Sequence, residues 1–195
     1  MKQYRVVLVF LWFVPLVVFS ATDPFTASPF IDSYSSSESN TSSQQSLYAI
    51  NKKINKLRYA PDLENWGREE YWATPDEFFH KRAGDCEDYA LAKYFALRQL
   101  GWPAKNLRLV HVITHRQQAH MVLQVFPAGQ GPGLILDSLH NKLRTTSQAT
   151  DLTPVYSFNE DSLWVVKTGW QEIYVSQASR IALWNQLVAK IQQQQ

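Results

Sequence analysis

The chain has 195 residues, 45% hydrophobic and 18% charged, a balance that excludes a disordered or fibrous polymer. Its net charge is +2 and its basic residues never run more than two together, so no nucleic-acid partner is expected. The single cysteine, Cys86, excludes an intrachain disulfide.

Residues 1–20 read as a signal peptide. Met1, Lys2 and Arg5 give a positive start, Val6 to Phe19 is uncharged and mostly apolar, and Ser20-Ala21 offers a small-residue cleavage site. The apolar run is shorter than the roughly 20 residues needed to span a bilayer, and Pro15 interrupts it. Cleavage is therefore expected over retention as an anchor. Residues 21–46 form a polar, Ser-rich linker without hydrophobic period. One domain is expected over residues 47–195.

Leu47, Ile50, Ile54 and Leu57 recur at helical spacing, which predicts a first helix over 46–57. Trp66–Trp72 reads as a short aromatic segment. Thr74-Pro75-Asp76-Glu77 supplies a capping residue, a proline at the first helical position and early acids, so a second helix starts there. Ala83-Gly84 breaks it. A long helix then runs from Asp85 to Leu100, closed by Gly101 and Pro103. Strands are predicted over 107–114, 120–126 and 134–137, with further candidates at 164–167 and 172–175. Ile181, Trp184, Leu187, Val188 and Ile191 form one stripe of a C-terminal amphipathic helix. Its opposite face is not basic, so it is expected to pack on the domain rather than on a membrane. Helices first and strands later predict an α+β fold with an antiparallel sheet.

Export makes a lone thiol conspicuous, because its compartment tolerates disulfides and no partner exists in the chain. Gly84-Asp85-Cys86-Glu87-Asp88 puts this thiol in the first turn of a helix. Unpaired N–H groups and the helix dipole there favour thiolate, and an N–H can receive an oxyanion. The plainer reading is that Asp85 caps the helix while Glu87 and Asp88 complement its dipole. A thiolate hydrolase also needs an oriented imidazole. His120 opens one predicted strand and Asp137 ends the next, so a hairpin would bring them to the same sheet end. A buried, hydrogen-bonded histidine with no chemical role stays open at this point.

The three acids beside Cys86 also oppose a thiolate, because like charge raises a thiol pKa. The helix dipole offers only about half an elementary charge in return. A bound hard cation reverses the sign, and calcium suits oxygen ligands. Asp85 and Glu87 flank the cysteine and are the expected ligands; Asp88 is left free to cap.

The stretches Tyr71–Phe78, Gly84–Tyr94, Ala119–Leu123 and Leu136–Leu139 together resemble the bacterial transglutaminase-like cysteine peptidases, over roughly residues 47–175 in matching order. The resemblance implies a papain-like fold, with the cysteine at a helix N-terminus packed on an antiparallel sheet. It implies a Cys86–His120–Asp137 triad, with calcium held by Asp85 and Glu87. It further implies a periplasmic endopeptidase that clips a surface protein such as a large adhesin, a role in biofilm control, and an inner-membrane receptor that senses cyclic di-GMP. Ser138 departs from the asparagine often found after the triad aspartate. Two other functions remain open: acyl transfer to an amine on the same triad, and non-catalytic peptide binding.

Overall fold

The computed structural model describes residues 43–127 and 131–194. The expected signal peptide and all but the last few residues of the linker lie outside them.

The first helix, α1 (Ser43–Ile54), buries Leu47, Ile50 and Ile54. It begins and ends earlier than its apolar period predicts. Lys56 and Leu57 bond back three residues, to Lys53 and Ile54, so the last turn tightens and the chain leaves the helix. Then come β1 (Arg58–Tyr59), α2 (Asp62–Trp66) and α3 (Pro75–Lys81). Thr74 and Glu77 form a reciprocal capping box at the start of α3. Arg82, at φ 55°, ends that helix. The predicted break, Ala83–Gly84, is a two-residue strand, β2, paired in parallel with β1.

Next is α4 (Cys86–Gln99), with Asp85 at its N-cap position. Residues 87–97 are all buried, which marks a helix enclosed on every side rather than one lying on a surface. Gly84, just before it, tolerates no side chain. A Cβ there would sit 2.5 Å from Asp88 Oδ2 and 2.8 Å from the Phe78 ring.

Seven antiparallel strands follow: β3 (Leu107–Thr114), β4 (Ala119–Val125), β5 (Leu134–Leu136), β6 (Arg144–Thr145), β7 (Leu152–Phe158), β8 (Ser162–Thr168) and β9 (Gln171–Gln177). Their spatial order is β6-β5-β4-β3-β7-β8-β9. Sequence reading misses β7, which contains Pro154. A proline argues against a central strand unless the ladder is irregular there. It is irregular: His111 faces Tyr156 while Val112 faces Pro154, so Val155 is bulged out.

The long helix covers one sheet face, where Leu109, Met121, Leu123, Val125, Leu136 and Phe158 join its apolar side chains. A smaller cluster, including Val110, Val112, Val122 and Ile135, lies on the other face. The last helix, α5 (Ala182–Gln193), packs on the domain as its stripe predicts. Trp184 stacks on Phe95, and Lys190 donates to the Trp72 carbonyl and to Glu77. No helix among the described residues is long and apolar enough to cross a membrane. The α+β class and the cysteine at the helix start thus match the sequence reading.

Lys93 is out of character in this core. It is 0% exposed, and its ammonium has no hydrogen-bond partner. Burial drives its pKa down to about 7, opposed by the charge of Asp137. The unfolded chain holds that proton up to about pH 10.4. Between the two values the unfolded state binds more protons, so raising the pH removes a destabilising term. Lys93→Met is expected to stabilise the fold at pH 7 by about 1–4 kcal/mol. It should also flatten the rise in stability between pH 7 and 9. Denaturant titration of both proteins at the two pH values checks this; a variant less stable at pH 7 would count against it.

Candidate active site

Cys86 is the first residue of α4, half-buried, and its Sγ donates to Glu87 Oε2 at 3.0 Å. Burial pushes the thiol pKa up, and the charges of Glu87 and then Asp85 push it further. The backbone N–H of Met121 pulls the other way. Met121 follows His120 on β4, so the helix start is seated against the first residues of that strand.

Asp85 occupies the N-cap position, yet its side chain caps nothing. It turns instead toward Glu87 and Asp62. One carboxylate oxygen from each of these three residues lies within 4.8 Å of the others. Burial and the charge of Glu87 raise Asp85 to about 9, and burial raises Glu87 to about 7. Burial also raises Asp62, against a hydrogen bond from the Tyr71 N–H. Asp85 Oδ1 and Asp62 Oδ1 are buried with no hydrogen-bond partner. Three carboxylates gathered this closely are a donor set suited to a hard divalent ion such as calcium.

Asp88 does different work. Its Oδ1 accepts from the Ala73 N–H at 2.8 Å, and its side chain is enclosed between Gly84 and the loop before α3. Burial raises its pKa to about 8. Sequence reading expects Asp85 and Glu87 as ligands and leaves Asp88 free to cap its helix; in the structure Asp85 and Glu87 gather with Asp62, and Asp88 instead holds the Ala73 N–H. Asp62 is the member that sequence reading misses.

At the sheet end, Leu123 pairs with Leu136, so Asp137 follows directly off β5 beside the start of β4. His120 Nε2 lies 2.8 Å from Asp137 Oδ1, and Asp137 is 0% exposed. The same oxygen accepts from the Leu139 N–H at 3.0 Å, and Arg144 Nη2 donates to Oδ2 at 3.1 Å. Burial alone would raise this carboxyl, but the hydrogen bond and charge of His120, with the Leu139 N–H, hold it below the ordinary range.

The first helix and the turn after it clamp the chain just past Asp137. Asn55 Nδ2 donates to the Asp137 carbonyl at 2.8 Å, and Asn51 Nδ2 to that of His140 at 2.8 Å. Ser138 Oγ is buried without a partner. The other histidines are placed differently. His111 stacks on Tyr156 and is held low by burial, while His140 lies 3.7 Å from Asp151.

Asn51, Asn55, Arg144 and Asp62 all escape sequence reading. The two asparagines leave one trace, a buried-face polar pair at i, i+4. Asp62 follows Pro61 in what reads as a helix terminator, and Arg144 sits in a stretch with no strand signal.

A thiol at a helix start, a carboxylate-bound imidazole at the adjoining strand end and a carboxylate cluster can together support acyl transfer through a thioester. Comparison with known proteins agrees with that chemistry. A family model described as bacterial transglutaminase-like cysteine proteinase matches residues 26–173. An EGTA-treated structure of Legionella pneumophila LapG is similar with a TM-score of 0.70 at 34% identity, covering 83% of each chain. Its calcium-bound structure gives 0.69 at 35% identity, covering 83% of this chain and 84% of that one. No match was found among curated proteins.

Proposed function

The chain belongs to the bacterial transglutaminase-like cysteine proteinases, and on that premise we propose that Cys86 is the nucleophile, His120 the base and Asp137 the residue that orients the imidazole. The 2.8 Å contact between His120 Nε2 and a wholly buried Asp137 carries this reading. With Nε2 engaged, Nδ1 is the nitrogen that takes the thiol proton. The thiolate then attacks the scissile carbonyl carbon, and an N–H of the first helical turn receives the oxyanion. The imidazolium returns its proton to the departing amine, leaving a thioester on Cys86. Water, deprotonated by the same imidazole, attacks the thioester and releases the acid. Hydrolysis is favoured over transfer to an amine because the family is one of proteinases.

Asp62, Asp85 and Glu87 would hold a calcium ion, as the calcium-bound LapG relative suggests by likeness. Bound there, the ion would supply positive charge beside the thiol and so favour the thiolate. The resemblance of the sequence motifs extends the proposal to a periplasmic setting, a large surface adhesin as protein substrate, a part in biofilm control, and an inner-membrane cyclic-di-GMP-sensing receptor that restrains the enzyme.

Four outcomes check this. Wild-type protein incubated with a thiol-reactive peptide electrophile should gain one adduct by intact mass and should cut an adhesin fragment. Cys86→Ala should do neither while remaining folded. His120→Ala should lose activity about as fully, and Asp137→Asn should lose about 10⁴-fold in kcat. An active His120→Ala variant would sink the assignment.

Calcium at a hundredfold excess over its Kd should stabilise the fold by about 2.7 kcal/mol. EGTA should reverse the shift, and Asp62→Asn or Glu87→Gln should abolish it. A melting temperature indifferent to calcium, with full activity in EGTA, would exclude the ion.

The mature chain should begin near Ala21 and be found in the periplasmic fraction. N-terminal sequencing that recovers Val6–Phe19 from membranes would favour an anchor.

A further inference from the structure

We propose that Arg144 is a positioning residue for the triad carboxylate, fixing the plane of Asp137 so that Oδ1 stays on His120. The inference rests on the assignment of His120 and Asp137 as a working pair.

A carboxylate turns about its Cβ–Cγ bond, and a small turn would carry Oδ1 off the imidazole. In this fold both oxygens are held. Oδ1 takes His120 at 2.8 Å and the Leu139 N–H at 3.0 Å, while Oδ2 takes Arg144 Nη2 at 3.1 Å. The guanidinium is itself gripped from behind, since Nη1 donates to Asp151 Oδ1 at 2.5 Å. Asp151 is anchored in turn. Its carbonyl accepts from the His115 N–H at 2.9 Å, and its Oδ2 lies 3.7 Å from His140. One planar fork thus spans two carboxylates, an arrangement that a lysine ammonium does not reproduce.

The backbone supports the same reading. Arg144 pairs with Ile135 on β5, the strand that delivers Asp137 two residues later. The short edge strand β6 therefore carries the guanidinium on the same ladder as the group it holds. Other charged or titratable groups surround Asp137: His120 from β4, Lys93 from α4, and His140 from the loop that follows. Lys93 makes no hydrogen bond, so it adds field without direction. Arg144 adds direction, and direction decides which imidazole nitrogen is free to meet the thiol.

A purely structural alternative has Arg144 merely tying β6 and the following turn to the sheet. Four variants separate the two: Arg144→Met, Arg144→Lys, Asp151→Asn and, as a control, His120→Ala. Peptide hydrolysis, Cys86 alkylation against pH, and melting temperature are measured on each. Positioning predicts that Arg144→Met loses about tenfold or more in kcat. KM stays within about twofold, because the substrate is not touched. The pH profile of Cys86 alkylation should also shift. Arg144→Lys should recover only part of the loss, and Asp151→Asn should show a smaller loss in kcat with its fold intact. Two results would overturn the proposal: kcat in Arg144→Met within about twofold of wild type, or full rescue by lysine. A loss that only tracks the unfolded fraction would do the same. If Arg144→Met does not fold, Asp151→Asn decides: unchanged kcat and an unchanged alkylation profile overturn the proposal. An active His120→Ala would instead locate the failure in the triad assignment.

Discussion

Three acids share one small, largely dry space beside a thiol, and much of the molecule is arranged around that crowding. Asp62, Asp85 and Glu87 each bring an oxygen within 4.8 Å of the others. Left alone, such a cluster is repulsive, and every member is driven to hold its proton. The thiol is driven the same way. An arrangement this unfavourable to a nucleophile makes chemical sense only around a positive charge. The gathering of Asp62, Asp85 and Glu87 marks where that charge belongs.

The other half of the site has the opposite electrostatic character. Asp137 is buried more completely than any of those acids, yet its pKa is held down. The difference lies in donors. Asp137 receives hydrogen bonds from an imidazole, a backbone N–H and a guanidinium, whereas Asp62, Asp85 and Glu87 mostly face one another. Burial thus yields a firm anion where donors are supplied, and a repulsive cluster suited to a cation where they are not. The polarity follows from chain placement: one group ends a strand beside basic neighbours, while the others gather at a helix start.

Elements with strong punctuation were legible in the sequence. Thr74-Pro75 announced α3, and Gly101 with Pro103 closed α4, because caps and prolines act on their own backbone. His120 and Asp137 were legible because a hairpin converts sequence order into register. What escaped depends on contacts between distant segments. Asp62 meets Asp85 only after β1 pairs with β2, a ribbon of two residues per strand with no periodicity to read. Asn51 and Asn55 look like ordinary polar helix positions until the loop after β5 is laid across them. Pro154 argued against the strand that holds it, and only the bulge at Val155 makes room for it.

The burial of α4 explains how so much like charge survives at one helix terminus. At the start of a surface helix, water would screen three crowded acids. Here residues 87–97 are all in the core, with the sheet on one side and α1 and α3 beside it. Unwinding that turn would pull Asp88 from the Ala73 N–H and open the tight seat against Gly84. Fraying therefore costs core packing, and the turn that carries Cys86 stays wound. The repulsion is stored rather than released, which leaves cation binding or protonation as its outlet.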